Sequence, residues 1–151
     1  MGDRTEGIST TMGMPAKLQI PPEDAALAEL FHAIEASRRI LDLPDDWDGA
    51  ESPAFEEATW ERAADFLRRR ASALWDREGL ALPVPQILPG PESSIDIHWQ
   101  SSQRELLVNI PSDNAAPITF YGDDYGQDKR KGQLEEGALD LDLLAWLTAA
   151  D

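Results

Sequence analysis

The side chains best suited to chemistry are His98, with Asp96 two residues before it and Tyr121 on a later segment. An imidazole held by a carboxylate or a phenol can move protons near neutral pH, which is the chemistry of a small hydrolase or a nucleotide-modifying enzyme. The spacing weakens that expectation. Asp96 and His98 are i and i+2 in an alternating segment, so their side chains run parallel and need not touch. No serine sits in a Gly-x-Ser-x-Gly turn, and no glycine-rich loop cradles a phosphate. Two histidines and no cysteine supply few soft metal ligands and exclude thiolate chemistry and disulfides. The sequence therefore assigns no catalytic residue, cofactor or metal. Asp96, His98, Asn109 and Tyr121 read first as the polar face of a sheet, and second as a pocket or docking surface.

A second constellation is Leu43-Pro44-Asp45-Asp46-Trp47-Asp48-Gly49. From Asp42 to Glu57 the carboxylates are Asp42, Asp45, Asp46, Asp48, Glu51, Glu56 and Glu57, with no lysine or arginine among them. A calcium loop of the EF-hand type needs acids at positions 1, 3 and 5, glycine at 6 and a glutamate at 12. With Gly49 at position 6, Asp46 and Asp48 fit 3 and 5, but 1 is Pro44 and 12 is Phe55. Ligands are missing at both ends, and the pattern reads as a turn in which aspartates cap free amides. Trp47 either anchors this turn to the core or stands exposed as the apolar centre of an acid-rimmed contact. Asp45, Asp46, Trp47, Asp48 and Glu51 are the candidate binding residues.

The overall charge agrees with such a contact. There are 29 acidic and 13 basic residues, a formal net charge of −16. That balance repels nucleic-acid phosphates and anionic lipid, so the expected partner is a protein with a basic surface, not nucleic acid and not a membrane. The run Lys129-Arg130-Lys131, after Tyr121-Gly122-Asp123-Asp124-Tyr125-Gly126, reads as a solvated hairpin tip. Met1 to Lys17 lacks the apolar run of a secretory signal, and no stretch approaches the roughly 18 apolar residues of a membrane span. A cytoplasmic protein is the expectation.

The elements that must position these residues follow from periodicity. Residues 1–20 have none and are expected to be a flexible tail, leaving 21–151 as a single α+β domain. Pro21-Pro22 starts a helix whose apolar stripe is Leu27, Leu30, Phe31, Ile34 and Leu41, and Pro44 stops it. Ser52-Pro53 predicts the start of a second helix, with Trp60, Ala64, Leu67, Ala71 and Leu74 on one face, Arg68 to Arg70 late in it and Gly79 at its end. Prolines at 83, 85, 89 and 91 then break the helical pattern around a short extended piece, Gln86 to Leu88. Ile95-Ile97-Trp99, Leu106-Val108-Ile110 and Ile118-Phe120 alternate with period two, and their short polar connectors predict antiparallel pairing. Gly122 to Gly132 is expected to be a polar loop or frayed strand, and Asp140 to cap a last helix. The expected fold is a helical hairpin and a C-terminal helix packed on one face of a small antiparallel sheet.

The stretch Leu43 to Gly49, the alanine-rich helix after it, the proline-rich connector 83–91 and the strand ending at Trp99 together resemble a group of small uncharacterised bacterial and phage proteins. Those proteins share an LP-x-x-WDG motif. The resemblance covers roughly residues 40–125, departs at Ala50-Glu51, and implies no activity. Charge and motif together lead to an acidic protein-binding module of the antitoxin, immunity or inhibitor type. The small enzyme around His98 is the alternative. A DNA mimic ranks below both, because the acids cluster at helix starts and loops instead of running in two rows.

Overall fold

The computed structural model describes residues 22–148 apart from 50, 52, 127 and 136. The expected flexible tail, 1–20, and the predicted cap Ser52 lie outside the described residues. The class is the expected one: three helices and a five-stranded antiparallel sheet, in an α+β arrangement.

Helix α1 runs from Pro22 to Ala36 and tightens into a 3-10 segment, Ser37–Asp42. The chain leaves it at Leu43, which is extended (φ −72°, ψ 131°) because a residue before proline is pushed out of the helical region. Leu27, Leu30, Ile34 and Ile40 are buried, while Phe31 and Leu41 are partly so. Helix α2, Glu57–Glu78, buries the predicted stripe Trp60, Ala64, Leu67, Ala71 and Leu74. Gly79 closes it in the left-handed region (φ 67°), with its N–H on Trp75 O and that of Leu80 on Leu74 O.

The predicted start of α2 needs correction. Pro53 is not in the helix. The chain stays extended to Glu56 (φ −96°, ψ 143°), which precedes the first turn without a side-chain cap. The extension has a packing cause, since it lets Phe55 reach the core at 7% exposure. A helix started at Pro53 would turn that ring elsewhere.

The strands are β1 (Gln86–Pro89), β2 (Ile95–Gln100), β3 (Glu105–Ile110), β4 (Ile118–Asp123) and β5 (Lys129–Leu134), hydrogen-bonded in that order. Helix α3, Leu141–Thr148, follows. Ile95, Ile97, Trp99, Leu106, Val108 and Ile110 face the helices and are buried. Gly122 lies opposite Leu106, on this same face, and makes room for the Trp146 ring of α3: a Cβ there would meet that ring at 3.1 Å. All the buried apolar side chains belong to one core cluster.

Two expectations near the C-terminus change. The basic run is not a hairpin tip. It begins β5, paired residue for residue with β4, and Arg130 lies with its guanidinium 4.8 Å from the Trp146 ring. Asp140 does precede α3, but its carbonyl takes the Leu143 and Leu144 amides, and its buried Oδ2 has no hydrogen-bond partner among the described residues.

Arg70 is the largest fully buried side chain, at 1% exposure. Position 70 lies late in α2, in the run Arg68 to Arg70 whose charges suit the carbonyl end of the helix dipole. Its guanidinium donates to the carbonyls of Glu135 (3.1 Å) and Ala138 (2.5 Å) and lies over the Phe66 ring at 3.9 Å. It ties α2 to the connection between β5 and α3.

The turn between β4 and β5 is built by the aspartates that stood out in the sequence. Asp124 Oδ1 accepts the amides of Gly126 (2.9 Å) and Asp128 (3.1 Å), and Asp123 Oδ1 accepts that of Tyr125 (2.8 Å). The bonds from Gly126 and then Asp128 hold the Asp124 carboxyl below its ordinary range. A lowered carboxylate stabilises the fold above its unfolded pKa, and that contribution is lost as pH falls through the folded value. Acidification should therefore release the Gly126 and Asp128 amides before the sheet opens, a difference that hydrogen exchange across an acid titration reads. Asp124→Ala should give the same exposure at neutral pH. If both amides stay protected in that variant, the carboxylate does not hold the turn.

Candidate functional site

The acidic loop is a built structure. Asp46 (φ 61°), Gly49 (φ 74°) and Glu51 (φ 66°) all take left-handed backbone, which aspartate and glycine tolerate and glutamate adopts at a cost. Asp46 offsets that cost: its Oδ1 accepts the Glu51 amide at 2.7 Å, and its carbonyl accepts the Gly49 amide at 3.1 Å. Asp45 Oδ1 accepts the Ala54 amide at 2.6 Å, joining the loop to the extended segment before α2. That segment is fixed to the sheet by Ser93, buried in the β1–β2 turn, whose hydroxyl donates to Pro53 O at 2.7 Å. The Trp47 ring is half-buried, packs on the core and meets Phe55 at 5.9 Å with the planes tilted by 50°. Its Nε1 is buried, with no hydrogen-bond partner among the described residues.

Asp45, Asp46, Asp48 and Glu51 are exposed. Asp45 and Asp46 each use one carboxylate oxygen on a backbone amide, so part of their charge serves the loop's own shape. Arg38 reaches Glu57 at 3.5 Å, at the far end of the acidic stretch.

The four residues of the second candidate face come together on the side of the sheet away from the helices. Strand register puts Gln86, His98, Leu107, Tyr121 and Lys131 in one row across the sheet. A neighbouring row is Leu88, Asp96, Asn109, Thr119 and Gln133. The hydrogen bonds differ from the pairs considered from sequence. His98 Nε2 meets Glu105 Oε2 at 2.6 Å, a diagonal neighbour on β3. Asp96 Oδ1 accepts from Asn109 Nδ2 at 2.8 Å, and Tyr121 donates to Asp123 Oδ2 at 3.2 Å. Partial desolvation, and then the bond to Asp123 and its charge, raise the Tyr121 phenol above its ordinary value.

Glu105 is the site residue that sequence reasoning missed. It begins β3 directly after the connector Gln100–Arg104, and only the register brings it beside His98. Among the described residues no group of three His, Asp or Glu side chains converges as a metal site, and no helix is long and apolar enough to cross a membrane. A groove of about 670 Å³ lies elsewhere, lined by Arg77, Phe120, Arg130, Gln133 and the residues leading into α3.

The fold and these two surfaces define an antiparallel α+β protein with a hydrogen-bonded acidic loop and a hydrogen-bonded polar sheet face. No family model, curated protein or solved structure matches the chain.

Proposed function

We propose that the chain is a protein-binding module, of the antitoxin, immunity or inhibitor type, that meets a basic surface on another protein. The observation that carries this is the set of exposed acids Asp45, Asp46, Asp48 and Glu51, of which Asp45 and Asp46 are held by bonds to the Ala54 and Glu51 amides. A preset array of like charges loses little conformational freedom on docking, and it steers an oppositely charged partner during approach. Trp47 serves here by packing on Phe55 and holding the loop's shape, so the carboxylates carry the contact.

The test uses substitutions that keep the acceptor oxygens and remove the charge: Asp45→Asn, Asp46→Asn, Asp48→Asn and Glu51→Gln together. Wild type and variant, both checked for folding, are used as bait in lysate from the source cells. A protein retained by wild type, released by salt and not retained by the variant is the expected result, because exposed charges are screened beyond about 8 Å at physiological ionic strength. Equal retention by both forms removes the loop from function.

A further inference from the structure

We infer that the free edge of β5 is a docking site for an acidic extended segment, which adds to the sheet as a further strand. This is separate from the acidic loop, which is tied to the β1–β2 turn at the other edge of the sheet.

Strand β5 ends the sheet, so among the described residues one side of its backbone is unpaired by any other strand. The Asp124 amide bonds to Asp128 O, and the β4–β5 register continues from there without a bulge. In an antiparallel ladder hydrogen-bonded and non-hydrogen-bonded pairs alternate. Lys129, Lys131 and Gln133 therefore point their N–H and C=O groups away from β4, toward an incoming strand. Edges in natural proteins are commonly blunted by proline, as β1 is by Pro85 before it and Pro89 within it. β5 contains no proline; its lysines are the other common blunting device, which turns away a basic or apolar strand and leaves the edge open to an acidic one.

The side chains state what the added strand should carry. Lys129 and Lys131 are exposed on the open face, and neither makes an ion pair among the described residues, in a chain with 29 acids. They ask for carboxylates on one face of the incoming strand. On the other face, the groove of about 670 Å³ beside β5 presents Phe120, Leu134 and Leu141, which suit apolar side chains. Alternating acidic and apolar residues meet both demands, because successive side chains of a strand point to opposite faces. A second copy of this chain is the poorer occupant: centring two antiparallel β5 strands on Lys131 sets that lysine against its copy, and neither strand brings a carboxylate, while like charges across a ladder repel.

The probe is a labelled peptide in which glutamate alternates with valine, followed by fluorescence anisotropy. A peptide with lysine in place of glutamate is the control. Binding of the glutamate peptide is expected, with a loss of about tenfold for Lys129→Glu, Lys131→Glu together. Lys131→Pro, which removes an outward N–H and no bond to β4, should also weaken it. Hydrogen exchange on the wild-type protein covers the case in which that variant fails to fold: the Lys129, Lys131 and Gln133 amides should exchange freely alone and become protected with peptide. No binding, equal binding of the lysine peptide, or binding without protection of these three amides overturns the proposal.

Discussion

Replacing Arg70 with alanine is expected to cost about 3–5 kcal/mol of stability, the range for removing one member of a buried charged network. The guanidinium is 1% exposed and binds the carbonyls of Glu135 and Ala138, which close the connection between β5 and α3. Without it, those acceptors lose a charged donor in a place where water must enter to replace it. The guanidinium also lies over the Phe66 ring and the stem is buried with it, so packing is lost along with charge. Arg70→Met separates the two effects, keeping most of the packing and none of the hydrogen bonds. Urea unfolding should rank wild type above Met and Met above Ala. A loss below about 1 kcal/mol for Arg70→Ala would mean that the connection satisfies itself without the arginine.

The second large effect is expected at Trp60. This ring is 2% exposed in the angle between α1 and α2. Its Nε1 donates to Ser37 Oγ at 2.8 Å, and that hydroxyl donates in turn to Ile34 O at 2.5 Å. Arg38 lies 4.6 Å from the ring centre and Arg68 5.9 Å. Trp60→Ala removes a buried indole from between the helices and should cost about 3–5 kcal/mol. Ser37→Ala keeps the ring but leaves its N–H buried and unpaired, at about 1–3 kcal/mol. The two changes share one contact, so the double variant should be less destabilised than their sum. Strict additivity in denaturant unfolding would place the worth of Trp60 in its other contacts.

Much of this architecture was legible in the chain. The stripe Trp60, Ala64, Leu67, Ala71 and Leu74 repeats at 3.6 and lies on the core, as its period requires. Ile95, Ile97 and Trp99 alternate and face inward, and Gly79 stops α2 because glycine enters the left-handed region without strain. These are local properties, set by a few neighbouring residues. The proline-rich connector was legible in part: Gln86 to Leu88 pairs as an edge strand despite its weak pattern.

What local pattern could not supply was decided by partners far along the chain. Lys129 to Leu134 lacks an apolar alternation, because an edge strand with one buried residue needs little of it, and its pairing with β4 comes from the hairpin turn built by Asp123 and Asp124. Arg70 reads as one of three arginines late in α2, yet carbonyls 65 and 68 residues away draw it into the core. His98 meets Glu105 because the β2–β3 register sets them diagonally, while Asp96, nearer in sequence, turns to Asn109. The sequence by itself determined the class of fold, the faces of its helices and strands and the acidity of its surface, since periodicity and composition are written residue by residue. Only the tertiary structure decided where α2 begins, which arginine is buried and which groups share hydrogen bonds, because each of those depends on free energies of contact between segments that the chain order keeps apart.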